Sequence, residues 1–390
     1  MKDHLVLARS VFDDMVALRR KLHQHPELSG EEHNTLALIA TRLDALNISY
    51  ITYENGGICA MIGKGDRAVG IRGDIDALPV QEQTGLSYAS EVPGVMHACG
   101  HDIHTAILLG AAQLFKSVED ELPGMVKLFF QPAEETVGGA EVMVQGGCMQ
   151  NPAVEHVLAL HVDPTLPVGS VGFLPGKMNA AVINLDITVH GTGCHGAHPE
   201  QGVDPIVVSA QMINALQTVV SRQTAPTTPV VVTIGTINGG TKRNIIPGEV
   251  TMQGTVRVLD MDTATQVKAQ IRRVVQNTAE AYGAQADVLL TDDYPALTNH
   301  AALTHSMAAE ARRILGEDKV VFFENPSLGA DDFAYFSNAA KGCYFNIGTT
   351  ASGQPPQMLH SECFAPDESC MLTGLALFSA GVWKLLEEQV

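Results

Sequence analysis

One pattern recurs in this chain and constrains its fold more than any other: a short apolar run that ends in side chains able to hold a metal. Residues 68–72 lead into Gly73-Asp74-Ile75-Asp76, residues 125–130 into Gln131-Pro132-Ala133-Glu134-Glu135, and residues 154–160 into His161-Val162-Asp163. In an open α/β sheet the ligand sites gather beyond the carboxyl ends of the strands, so three such tips in succession predict a sheet with one functional edge. Carboxylates at the end of a buried strand also need a cation or a hydrogen-bonded partner. Between the first and second tips lies the densest cluster, His97-Ala98-Cys99-Gly100-His101-Asp102-Ile103-His104, which holds a thiol, three imidazoles and a carboxylate. Thiolate and imidazole suit Zn²⁺ and other late divalent metals, and Gly100 lets the backbone bend between two ligands. The plainer reading of this octet is a buried, inert Cys99 with histidines that cap the helix after it.

A chain of 390 residues exceeds the usual size of one core, so two domains are expected. The formal charge of −19 argues against nucleic acid and against anionic membrane surfaces as partners. No window of the sequence reads as a bilayer span, and Met1-Lys2-Asp3-His4 opens no secretory signal. Seven cysteines in no paired framework suit reduced thiols, and the expected location is the cytoplasm. Apolar periodicity predicts helices over 5–22, 31–46, 105–115, 302–315 and 368–386, with a strand at 342–347 before the loop that carries His360.

From about residue 179 the texture changes. A strand at 182–189 is followed by a loop of glycines and histidines, a helix at 205–221, strands at 230–234 and 250–258, a helix at 263–281 and a strand at 286–290. This β-α-β-β-α-β order is that of a split βαβ, ferredoxin-like unit. The expected fold is therefore α/β. Its catalytic domain, a mixed and mostly parallel sheet flanked by helices, would be discontinuous (1–180 and 296–390), and an α+β ferredoxin-like domain would be inserted at 181–295.

Taken in order, the motifs resemble the M20 metallopeptidase and aminoacylase clan. The resemblance is to its amidohydrolase subfamily, which includes hippurate hydrolases, N-acetyl-diaminopimelate deacetylases and auxin-conjugate hydrolases. It is carried by Arg19-Arg20-Lys21-Leu22-His23-Gln24-His25-Pro26-Glu27-Leu28, Arg72-Gly73-Asp74-Ile75-Asp76-Ala77-Leu78-Pro79 and the octet. Further along, Phe130-Gln131-Pro132-Ala133-Glu134-Glu135, Ala159-Leu160-His161, Asn244-Ile245-Ile246-Pro247-Gly248 and Leu359-His360-Ser361 continue it over almost the whole chain.

The resemblance implies two divalent metal ions, Zn, Mn, Co or Ni. Cys99 would bridge them, with His101 and His161 completing one ion and Glu135 and His360 the other. Glu134 would be the general base toward a water shared by the ions. Asp76 would orient a histidine ligand, with Asp74 as a further partner. In the inserted domain, His195 would reach a neighbouring subunit's active site and polarise the scissile carbonyl, Asn244 would contact substrate, and Arg257 would hold the substrate carboxylate. That domain would act as lid and dimerisation element, giving a homodimer or a homotetramer.

The implied reaction is hydrolysis of the amide bond of a small N-acyl-amino acid. The alternatives are a dipeptidase or carboxypeptidase of the same clan and a non-catalytic metal- or ligand-binding relative. Glu134, an acid beside a ligand but not itself one, favours catalysis, and the bridging thiol favours the amidohydrolase branch. Two departures from the family pattern stand out. Gly193-Cys194-His195-Gly196-Ala197 replaces the usual two glycines followed by His-Ala-Ala, and Gly329-Ala330-Asp331-Asp332-Phe333 replaces Gly-Ser-Glu-Asp-Phe. The shorter acid at Asp331 bears on the pocket wall and leaves the chemistry untouched.

Overall fold

The apolar runs that precede the ligand-bearing tips become the centre of an eight-stranded sheet in a computed structural model, which describes residues 3–136 and 138–387. Across the sheet the strands are Ser49–Thr52, Ile58–Gly63, Met125–Gln131, Ala68–Asp74, Val154–Pro167, Lys341–Thr350, Val171–Phe173 and Val320–Phe322. The middle four run parallel to one another, and antiparallel pairings join them to their neighbours on both sides. Strand period two sorts the side chains. Val126, Leu128 and Phe130 join the main core, whereas Phe129 points the other way and stacks on Phe336 at 5.0 Å between ring centroids. Both faces are therefore covered, as a parallel sheet requires.

The helix after the octet starts at His101, four residues earlier than its apolar periodicity suggests, and runs to Ser117. Gly100 occupies its N-cap position with φ of +84°, and no side chain caps it, so the histidines are not caps. Nearly every residue of this helix is buried, which marks a core helix rather than an amphipathic surface one. The N-terminal helix expected over 5–22 is instead two helices, His4–Arg9 and Phe12–Gln24. The strand that carries His161 does not stop at Leu160, because pairing with Lys341–Thr350 extends it to Pro167. By length and apolarity alone Cys370–Glu387 could cross a membrane, contrary to the sequence reading, yet 83% of it is buried and it packs in the core.

By internal packing the chain divides into two units. The first comprises Met1–Met178, Thr298–Pro326 and Asp331–Val390; the second comprises Asn179–Leu297 and Ser327–Ala330. The second unit has one four-stranded antiparallel sheet, ordered Val230–Gly239, Glu249–Val258, Ala181–His190, Gln285–Asp292. Helices Pro205–Arg222 and Met261–Ala281 supply Val208, Met212, Leu216, Val267 and Ile271 to its core. Asp204 and Asp260 cap those helices through Ile206 N and Thr263 N. The order of elements and of strands is that of a ferredoxin-like split βαβ unit. The tetrad Ser327–Ala330 carries no sequence signal for its membership; Gly329 O accepts from Ala180 N at 2.9 Å.

Helix Phe12–Gln24 is tied to the octet helix by buried charge. Arg19 Nε and His23 Nδ1 each lie 2.8 Å from Asp102 Oδ2, next to His101 in sequence. Arg19→Met would leave Asp102 with the imidazole alone, and breaking a buried pair from one side costs about 3 kcal/mol or more. The urea midpoint of this variant, followed by circular dichroism, should fall accordingly; an unchanged midpoint would remove the tie from the stability of the first unit.

Candidate metal centre

Period two places Arg72 and Asp74 on one face of strand Ala68–Asp74, where both are buried. Arg72 Nη1 donates to Asp74 Oδ2 at 2.6 Å, Nη2 to Asp332 Oδ1 at 2.8 Å, and Nε to Gln131 Oε1 at 2.7 Å. Asp331 Oδ1 lies 3.2 Å from Nη2. Gln131 Nε2 and Ala140 N both donate to Asp332 Oδ2. Burial opposes the guanidinium charge, yet Asp331, Asp74 and Asp332 hold its pKa well above the ordinary value.

On this frame the imidazoles are oriented one by one. Val162 N donates to His104 Nε2 at 3.1 Å, so the proton of that ring is on Nδ1, which donates to Asp74 Oδ1. His161 Nδ1 donates to Val162 O at 2.8 Å, which leaves its Nε2 bare, 3.5 Å from Cys99 Sγ. Burial and the nearby His104 bring the His161 pKa down to about 4, so this imidazole is neutral and ready to ligate. His101 Nδ1 lies 3.1 Å from Asp76 Oδ1, whose second oxygen accepts from Ser29 Oγ and from Glu135 N. His101 Nε2 is buried with no hydrogen-bond partner among the described residues.

Gly100 is required twice at this point. Its positive φ turns the chain between Cys99 and His101, and a Cβ there would sit 2.5 Å from Val162 Cγ2. The loop bearing His360 is pinned beside Cys99 by a hydrogen bond from His360 N to Ala98 O. His360 itself adopts φ of +63° and points Nε2 to within 3.3 Å of Glu135 Oε1, an oxygen that is buried without a hydrogen bond.

The five expected ligands converge. Donor atoms of Cys99, His101 and His161 lie within 4.8 Å of one another, and so do those of Cys99, Glu135 and His360, with Cys99 common to both sets. Glu134 stands within the same distance of His101 and Glu135, and separately of Asp331 and Asp332. Burial, then Asp331, Asp332 and Glu135, push the Glu134 pKa well above the carboxylate range. Burial likewise raises the Cys99 thiol, although His101 opposes it.

These residues fit two divalent cations. The orphaned His101 Nε2 and Glu135 Oε1 lack partners that cations would supply, and the donor set of sulfur, imidazole and carboxylate is one that Zn²⁺, Mn²⁺, Co²⁺ and Ni²⁺ accept. Asp74, Asp331 and Asp332 lie against Arg72 and Glu134 adds to the negative field there, while Asp76 pairs with His101; all five carboxylates are buried.

His195, Asn244 and Arg257 belong to the second unit. His195 pairs with Ile245 in a two-stranded ribbon, and Gly196 N donates to Asn244 O, so the first two are neighbours. At Gly196, where the family has alanine, a Cβ would meet Asn244 backbone at 3.0 Å. Arg257 lies on strand Glu249–Val258 near Asp293 and Tyr294, and among the described residues no hydrogen bond or ion pair joins it to the other two. Sequence reasoning missed the roles of Arg72, Gln131, His104 and Asp332. For His104 a signal existed, since it falls three residues after His101 and hence on the same helical face.

A model of "Peptidase family M20/M25/M40" matches residues 70–383. Among curated relatives, thermostable carboxypeptidase 1 of Saccharolobus solfataricus is 39% identical over 94% of each chain. N-acetyl-L-cysteine deacetylase of Bacillus subtilis is 37% identical over 96% of this chain and 88% of its own. Among solved structures, the YXEP protein of Bacillus subtilis, described as a dinuclear metal-binding peptidase from the M20 family, superposes with a TM-score of 0.84 at 32% identity, covering 97% of this chain and 99% of its own.

Removing Asp76 takes the acceptor from His101 Nδ1, and metal affinity in Asp76→Ala should fall about 10–100-fold. Cys99→Ala should fall further and hold fewer than two ions. Competition with a chromogenic chelator measures both; wild-type affinity in either variant would remove that residue from the centre.

Proposed function

The chain belongs to peptidase family M20/M25/M40, and for this metal-dependent hydrolase of amide bonds we propose a specific task, release of a free amino acid from an N-acyl-amino acid. The observation that carries the reading is Glu134, a buried carboxylate among the ligands His101 and Glu135 that neither expected ion needs. In this reading Cys99 is shared by two ions, His101 and His161 serve one, and Glu135 and His360 serve the other. Two cations held there would lower the pKa of a water toward about 7 and polarise a carbonyl.

The protein's own groups do the rest. Glu134 takes a proton from water as the water oxygen bonds to the acyl carbon, and it returns that proton to nitrogen as the C–N bond breaks. The products are a carboxylic acid and a free amine. Asp76 keeps His101 in one tautomer, and Arg72 holds Asp74 and Asp332 in place behind the ligands.

For His195 as a donor to the carbonyl oxygen, Asn244 as a polar substrate contact and Arg257 as the carboxylate clamp, the support is the family resemblance alone. The same holds for a homodimer formed through the inserted domain, whereas a cytoplasmic location is supported by seven cysteines in no paired framework. The specific acyl group and the resident metal are assigned by the assay below. A second reading, carboxypeptidase action on a peptide bond, is favoured by the 39% identical carboxypeptidase relative.

Purified protein stripped of metal and reloaded separately with Mn²⁺, Zn²⁺, Co²⁺ or Ni²⁺ should release amino acid from one acyl class of an N-acyl-amino acid panel. Faster release from N-blocked dipeptides would favour the carboxypeptidase reading. Glu134→Gln should keep its metal content and lose about 10²–10⁴-fold in kcat. Turnover per bound metal at the wild-type rate in that variant would contradict the base assignment.

A further inference from the structure

The motif at the N-terminus extends into a segment that the reaction as described does not use. Residues 27–32 follow helix Phe12–Gln24 and run past the centre. Ala77 N donates to Glu27 O at 2.8 Å, and Ser29 Oγ donates to Asp76 Oδ2 at 2.6 Å. Glu32 comes next, only 2% exposed, with no lysine or arginine paired to it among the described residues.

Its position would ordinarily give Glu32 another task. It is the N-cap residue of helix His33–Ala45, yet its side chain makes no cap bond there. Glu27 does that work, with Oε1 accepting from Asn34 N at 3.0 Å and Oε2 from Thr35 N at 2.8 Å. The Glu32 carboxylate is thereby released from its own helix and turns inward, where Oε1 accepts from Ala133 N at 2.7 Å.

Ala133 immediately precedes Glu134 and Glu135 and adopts φ of +58°, a left-handed conformation that an L-residue other than glycine enters only when its surroundings compel it. Gly138 N and Gly139 N close the turn from the other side by donating to Ala133 O. The direction of the chain at Ala133 decides where the next two carboxylates go.

We propose that Glu32 is a positioning residue for hydrolysis: by accepting the Ala133 amide, its buried carboxylate holds the left-handed turn that delivers Glu134 and Glu135 to the metal centre. This rests on the reading of Glu134 as the base. Glu32 touches neither substrate nor the reacting atoms. An oxygen acceptor is what the turn needs, so a glutamine at this position keeps the function and an alanine loses it.

Two measurements test it on the full-length protein. In hydrogen–deuterium exchange of the metal-free chain, peptides covering 131–139 in Glu32→Ala should exchange at least tenfold faster than wild type, while Glu32→Gln stays within about threefold. With metal saturating and bound ions counted, Glu32→Ala should lose at least tenfold in kcat per bound metal with KM within about twofold, and Glu32→Gln should retain most of the rate. Unchanged exchange in the alanine variant overturns the proposal, as does a wild-type kcat per bound metal or equal impairment of both variants. If Glu134→Gln turns over normally, the base assignment fails instead, and the exchange result still decides whether Glu32 holds the turn.

Discussion

One fully buried guanidinium, that of Arg72, gathers the carboxylates of Asp74, Asp331 and Asp332 in the first unit, and Glu134, Asp76 and Cys99 lie buried around the adjacent His101. Burying ionised groups without compensation is unfavourable by several kcal/mol each, so such groups either find a cation or take up a proton. Arg72 serves Asp74 and Asp332 directly. Asp76 is held below the usual carboxylate range by His101, Ser29 and Glu135 N, whereas burial raises Glu134 and Cys99 well above their ordinary values and, even beside Arg72, lifts Asp332 to about 7. The same imbalance that makes the metal-free site uncomfortable makes two divalent cations its natural complement. Metal binding and the stability of this edge of the sheet are therefore linked quantities.

The frame around that charge was only partly legible in the sequence. Apolar runs with polar tips reveal strands and the edge to which they point, because side-chain period two and burial leave a local signature. Cys99, His101, Glu135, His161 and His360 were legible because each lies in a compact motif that resembles the family's pattern. Contacts between distant residues leave no such mark. Arg72 meets Gln131 across 59 residues and Asp332 across 260, and Gln131 meets Asp332 across 201. Nothing in the local spacing of Asp331-Asp332-Phe333 shows that one acid completes a cluster begun on strand Ala68–Asp74. Likewise the extension of the His161 strand to Pro167 follows from pairing with Lys341–Thr350, which periodicity before Leu160 does not encode.

The second unit was more readable because its organisation is local. Its helices carry their own caps, Asp204 before Pro205 and Asp260 before Met261, and its strands alternate in the usual way. The ribbon between Cys194–His195 and Ile245–Ile246 was not readable, since two-residue strands inside a glycine-rich loop have no period to detect. It nevertheless gives a physical account of one departure from the family pattern. Gly196 passes so close to Asn244 that a Cβ would press on its backbone, and the missing methyl permits the ribbon that keeps His195 and Asn244 together.

Two residues near the ligands, Ala133 and His360, occupy the left-handed region without being glycine, at a cost of about 1–3 kcal/mol each. Both are held by a single strong acceptor from a distant part of the chain, the Glu32 carboxylate for Ala133 N and the Ala98 carbonyl for His360 N. Both also set the direction of a side chain in the proposed centre, His360 itself in one case and, one and two residues onward, the proposed base Glu134 and the proposed donor Glu135 in the other. The arrangement has a simple logic. A regular helix or strand delivers side chains at fixed angular intervals, and His101 and His161 are delivered that way. In the proposed two-ion arrangement the second set of donors, Glu135 and His360, comes from loops, and loops can supply donors only if their backbone is locked. Glycine at 133 would relieve the strain and also widen the conformations open to the loop, so the strained residue with an external anchor is the more precise device.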